Sequence, residues 1–178
     1  MGVGDIARQG ALRFKEAPDD PLLASGDGAN IPPLICLDEL LNAAIRVAAN
    51  GEDDGDLRLI LAPVSSLGGA RAKASVLDQQ GELSIAKFPQ ADDTYPVMQW
   101  EAVALDLALR AGIAVPTWRL EQVADRTALL LRRFDRDGDI RIPFLSAMSM
   151  LGAADNEDHS YLEIVDALRQ FGSQPEQD

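Results

Sequence analysis

Ala72-Lys73-Ala74-Ser75-Val76-Leu77-Asp78-Gln79-Gln80-Gly81-Glu82-Leu83-Ser84-Ile85-Ala86-Lys87-Phe88 reads as two strand-like runs joined by a turn with glycine late in the loop. This hairpin, strands at 72–77 and 82–88, sets an antiparallel pair near the middle of the chain. After it, Pro89 and Asp92-Asp93 mark a loop. The longest helix is then predicted over 95–111, with Val97, Trp100, Val103, Ala104, Leu107 and Ala111 as its apolar stripe and Gly112 as its stop. Trp100 and Trp118 are expected in the core. Three short strands are predicted at 117–121, 127–134 and 139–142. The run Thr127-Ala128-Leu129-Leu130-Leu131 suits a central strand buried on both faces. Asp137-Gly138 signals a further hairpin turn.

On the other side of the hairpin, Leu37, Leu40, Leu41, Ala44, Ile45 and Ala48 predict a helix over 37–50, stopped at Asn50-Gly51. An acidic loop and an apolar strand at 57–64 follow. Residues 1–33 are rich in Gly, Pro and Asp and carry one sheet-like scrap, Ala11-Leu12-Arg13-Phe14. Two helices are predicted at 144–151 and 160–171. Blocks of sheet and helix in this order read as α+β with an antiparallel sheet.

Composition narrows the function classes. Sixteen Lys and Arg against 29 Asp and Glu leave a net charge of −13 in 178 residues. Non-specific nucleic-acid binding, which runs on phosphate neutralisation, is disfavoured. One cysteine, Cys36, excludes an internal disulfide and a cysteine-built zinc site. Cys36 is expected as a small buried hydrophobe. One histidine, His159, excludes the HExxH zinc pattern. It directly follows Glu157 and Asp158 near a helix start, where solvation or capping suits it better than base catalysis. No signal peptide or membrane-length apolar run is visible, so a soluble, cytoplasmic protein is expected.

Three stretches can carry chemistry. Ser65-Ser66-Leu67-Gly68-Gly69-Ala70-Arg71-Ala72-Lys73 puts two serines and two glycines between a strand and the hairpin. Free N–H groups in such a loop can form an anion nest, with Lys73 adding positive charge. A tight turn with solvated Arg71 and Lys73 is the other reading. Lys87 interrupts an apolar strand and needs a partner if it faces a cleft, and Glu101 in the next helix is a candidate. Protein kinases position nucleotide phosphates with such a strand lysine and helix glutamate. An edge-strand lysine in solvent is the alternative. The third stretch is Leu130-Leu131-Arg132-Arg133-Phe134-Asp135-Arg136, where an apolar strand turns polar. It reads either as the hinge of a nucleotide cleft, with Phe134 near adenine and Asp135 reaching a ribose, or as a strand end with a surface ion pair.

Taken together, the chain resembles the HipA-type serine/threonine kinases of bacterial toxin–antitoxin systems. The resemblance runs in order through Gly10-Ala11-Leu12-Arg13-Phe14, Ser65 to Ser75, Ile85-Ala86-Lys87-Phe88-Pro89, Trp100-Glu101, Ala111-Gly112-Ile113, Arg133-Phe134-Asp135-Arg136, Phe144 to Leu151, and Tyr161-Leu162-Glu163-Ile164. It implies a protein-kinase-like N-lobe at 34–142 and the first helices of an α-helical C-lobe at 143–172. Residues 1–33 would be the tail of a preceding subdomain, and 173–178 a frayed tail. It implies ATP and Mg²⁺ as cofactors of the full-length enzyme, weak or absent here.

By the resemblance, Ser65, Ser66, Gly68, Gly69, Ala70 and Lys73 cover the ATP phosphates, and Ser66 is the candidate autophosphorylation site. Lys87 contacts the phosphates with Glu101 as its ion-pair partner. Arg132, Phe134 and Asp135 lie on the adenine side. The family usually has Pro or Glu before the loop lysine, where this chain has Ala72. The family's catalytic-loop Asp and Asn and its second metal-binding Asp find no match. No catalytic or metal-ligating residue is assigned, and the chain is expected to be inactive alone. The resemblance also implies a helix-turn-helix antitoxin of the HipB type as partner, with DNA contacted only indirectly and the protein substrate unidentified. A non-catalytic interaction module, binding an antitoxin or a separate C-lobe, is the alternative.

Overall fold

A single strand, Arg126–Arg132, organises the sheet in the computed structural model, which describes residues 5–23, 36–48, 71–154 and 156–176. In chain order the elements are α1 (Leu37–Ala48), β1 (Lys73–Leu77), β2 (Leu83–Lys87), α2 (Val97–Arg110), β3 (Trp118–Val123) and β4 (Arg126–Arg132). The chain continues through β5 (Arg136–Asp137), β6 (Ile140–Arg141), α3 (Ala147–Leu151) and α4 (Tyr161–Phe171). It is α+β. The first four strands form an antiparallel sheet in the order β1-β2-β4-β3, and β5 pairs with β6 separately. The predicted strand at 57–64 and the stop at Asn50-Gly51 lie outside the described residues.

The predicted hairpin is β1 and β2, with Lys73 opposite Lys87 and Leu77 opposite Leu83. Its turn is built by Asp78, whose Oδ1 accepts from the backbone N–H groups of Gln80 and Glu82. Gly81 sits at φ +78°, a left-handed conformation that a side chain would strain.

Alternating side chains give the sheet two apolar faces. On one, Ala74, Val76, Ala86, Phe88, Ala128 and Leu130 pack under Leu37, Leu40, Leu41, Ala43 and Ala44 of α1. On the other, Leu129 and Leu131 pack against Met98 and Ala102 of α2, with Trp118 and Leu105 beside them. β4 is thus buried on both faces, as its apolar run requires.

Three expectations are corrected. Most of the stripe expected on α2 faces outward: Trp100 is 60% exposed and Val103 and Leu107 are exposed too, while Val97 packs on the core beside buried Met98 and Ala102. The helix is apolar on two sides, and the side carrying small Ala102 can lie close to the sheet. Ala11–Phe14 forms no strand, and Leu12 and Phe14 are exposed. Cys36 is only partly buried.

The chain divides into two compact units, residues 1–142 and 143–178. In the second, Ser146 caps α3 by accepting from the Ser149 N–H. Ser160 and Glu163 cap each other's N–H groups at the start of α4. His159 lies against the carboxylates of Glu157 and Glu163 at that helix start.

Candidate functional site

Lys87 ends β2, between β1 and β4, so it is not an edge-strand lysine. Its register partners are Lys73 on β1 and Leu129 on β4. It therefore shares the sheet face that α2 covers. Met98, Ala102 and Leu105 hold α2 to that face. Glu101, one turn beyond Met98, is brought beside the lysine, and its Oε1 accepts from Lys87 Nζ in a part-buried ion pair. A second contact steadies the helix: Gln99 Nε2 donates to Thr127 Oγ1 at 3.1 Å.

Lys73 and Lys87 stand as direct neighbours across β1 and β2. Burial, and next the charge of Lys87, lower the Lys73 ammonium below the usual lysine range, while Glu101 pulls it back up. Two residues along β1 on the same face, Ser75 is fully buried and its Oγ has no hydrogen-bond partner among the described residues. The result is two lysines side by side on one strand pair, with the Glu101 carboxylate brought to them by α2. Such an arrangement can hold the negatively charged oxygens of an anion.

Ser65, Ser66, Gly68, Gly69 and Ala70 lie outside the described residues. Directly after them, Arg71 makes a contact that the sequence reading missed. Arg71 meets Asp93 through two parallel hydrogen bonds of 2.9 and 2.7 Å. Asp93 also accepts from the Gln90 N–H. The Arg71 hydrogen bonds hold the Asp93 carboxyl below its usual range, against a smaller opposing effect of burial. The available signal was a bidentate-capable arginine at a loop end facing an acidic loop.

The third stretch is divided by the geometry. Arg132 follows Ala128 and Leu130 on the α1 side, so its side chain points away from Lys87. It pairs with Glu82 at 3.1 Å and lines a groove with Ser84, Arg119 and Asp78. Phe134 is 57% exposed in the turn after β4. Asp135 is buried, with its carboxylate already engaged by Gly10, Arg133 and Arg136. Burial alone would raise its pKa; hydrogen bonds from Arg133 and the Gly10 N–H, with the charges of Arg133 and Arg136, instead hold it at about 2. The signal for this cluster was two arginines and an aspartate directly after a strand buried on both faces, since buried charge must find partners.

Among the described residues, no group of three or more His, Cys, Asp or Glu side chains could hold a metal ion. No helix among them is long and apolar enough to cross a membrane. Residues 65–178 match the family model of the HipA-like C-terminal domain. No curated protein and no solved structure matches the chain.

Proposed function

The chain belongs to the HipA-like C-terminal domain family, and on that premise we propose that it carries the phosphate-binding half of a HipA-type serine/threonine kinase. The observation that supports this most is the Lys87–Glu101 ion pair, formed between the sheet and the helix packed on it. In protein kinases this pair must be in place for phosphoryl transfer. ATP, when bound, supplies the γ-phosphoryl group.

In this reading Glu101 holds Lys87 extended along the sheet face, so its ammonium meets the phosphates without reorganising. Lys73 brings a second cation from the neighbouring strand. Ser65, Ser66, Gly68, Gly69 and Ala70 are the proposed phosphate-covering residues, followed by the Arg71–Asp93 pair. Ser66 is the proposed phosphorylation site. The backbone of Arg132 to Phe134 borders the adenine. The described residues offer no carboxylate cage for Mg²⁺. The chain alone is proposed to bind Mg-ATP without transferring its phosphate. A helix-turn-helix antitoxin is the proposed partner in the cytoplasm, and any contact with operator DNA runs through it.

Calorimetric titration of Mg-ATP into the chain tests this reading, with Lys87→Ala as the control. Saturable binding that the variant lacks is the expected result. No heat at millimolar nucleotide overturns it. One observation favours the second reading, a non-catalytic interaction module: Trp100, Val103 and Leu107 lie exposed on one side of α2. Under that reading the chain binds an antitoxin equally well with or without Lys87.

A further inference from the structure

Residues 5–14 contain no helix or strand, so their backbone groups must be satisfied in some other way. Three arginines do so. Arg141 Nη2 donates to the Asp5 carbonyl at 2.6 Å, and Arg133 Nη1 to the Ala7 carbonyl at 2.7 Å. Arg136 Nη2 donates to the carbonyls of Ile6 at 3.2 Å and Arg8 at 2.6 Å. Arg133 Nη2 reaches the Arg8 carbonyl as well, at 3.0 Å.

In return, the Gly10 N–H donates to Asp135 Oδ2 at 2.7 Å. Gly10 takes φ +67° there, which favours glycine. Asp135 also ties the cage together, accepting from Arg133 Nε and Nη2 and from Arg136 Nη1. Arg133 and Asp135 are each only 2% exposed. Ala7 packs with Leu83 beneath this cluster.

The cage sits directly on the end of β4. The Arg133 N–H donates to the Leu83 carbonyl and the Arg132 N–H to the Thr117 carbonyl. Phe134 is therefore flanked on both sides by residues fixed by the N-terminal segment and the sheet. A carboxylate with this many donors has little left to offer a ribose hydroxyl.

We propose that docking of residues 5–10 on the Arg133–Arg136–Arg141 cage positions the Arg132–Phe134 backbone for adenine, with Asp135 as the positioning residue and not a ribose ligand. This rests on the nucleotide reading above. Release of the segment then lowers affinity for the adenosine part of the nucleotide and leaves the phosphate part, held at Lys87, unchanged. Whatever moves residues 5–10 thereby controls the nucleotide site.

The experiment compares Mg-ATP with inorganic tripolyphosphate as ligands of the full chain, by calorimetry. The variants are Asp135→Asn and Arg141→Met. The second loosens the segment without touching Asp135 and keeps the test open should the first fail to fold. Amide hydrogen exchange over residues 5–10 reports whether the segment is released. Loss of one or two aligned hydrogen bonds predicts about tenfold weaker Mg-ATP binding, faster exchange at 5–10, and tripolyphosphate binding as in the parent chain. A released segment with unchanged Mg-ATP affinity overturns the coupling while leaving the nucleotide reading standing. Equal weakening of both ligands also overturns it, since that marks general loosening. A parent chain that binds neither ligand overturns the nucleotide reading and the coupling with it.

Discussion

Asp135 makes the stability of this protein depend on acid in a defined window. Its carboxyl is held at about 2 in the folded chain, against an ordinary 3.8. Above 3.8 both states are ionised and the full contribution is present. As pH falls from there towards about 2, the unfolded chain takes up the proton first and the contribution is lost. It amounts to about 2 kcal/mol. Urea unfolding of the parent and Asp135→Asn should show a gap at pH 7 that narrows across this window. A gap that stays constant down to pH 2 would mean that the carboxylate is not held by the arginines. Ser75 predicts the opposite sign. Its buried hydroxyl has no partner among the described residues, so Ser75→Ala should leave stability unchanged or raise it by about 1 kcal/mol. A lowered urea midpoint would contradict that geometry.

At the scale of elements, α2 offers the sharpest comparison. Met98 is fully buried against Leu129 and Leu131, whereas Trp100 is mostly exposed. Met98→Ala should cost about 2–4 kcal/mol, and Trp100→Ala no more than about 0.5 kcal/mol. Thermal unfolding of the two variants checks this, and the reverse ranking would restore Trp100 to the core. The sequence could not decide between these faces, because α2 has apolar residues on both. Periodicity locates the helix but not which side a neighbouring sheet will take. β4 was easier to read, since an uninterrupted Ala128–Leu131 run leaves no polar side to expose. The β1–β2 turn was legible for a local reason, as Asp78 and Gly81 carry its chemistry within four residues. The Lys87–Glu101 pairing was legible too, because the lysine broke an apolar strand and one acidic residue lay a turn into the next helix.

For the whole molecule, the net charge of −13 leaves no general attraction for a polyanion. The chain alone should leave duplex DNA unshifted in a gel at about 0.1 M salt, beyond the reach of screened surface charges. A shift would reopen direct DNA contact. Long-range organisation is where the sequence was least legible. The Arg71–Asp93 tether and the arginine cage join residues with no shared periodicity, and nothing local to Gly10 announces Asp135.

That same separation has a consequence for synthesis. Gly10 and Asp135 lie 125 positions apart. Ribosomes add about 5–20 residues per second, so roughly ten seconds pass between the two emerging. During that interval the carbonyls of residues 5–8 lack the three arginines that will hold them, while the β1–β2 hairpin can already form. Closure of the latch is thus a late event in translation. A nascent chain halted before Arg133 would hold its β1–β2 hairpin with its leading segment still accessible to proteases.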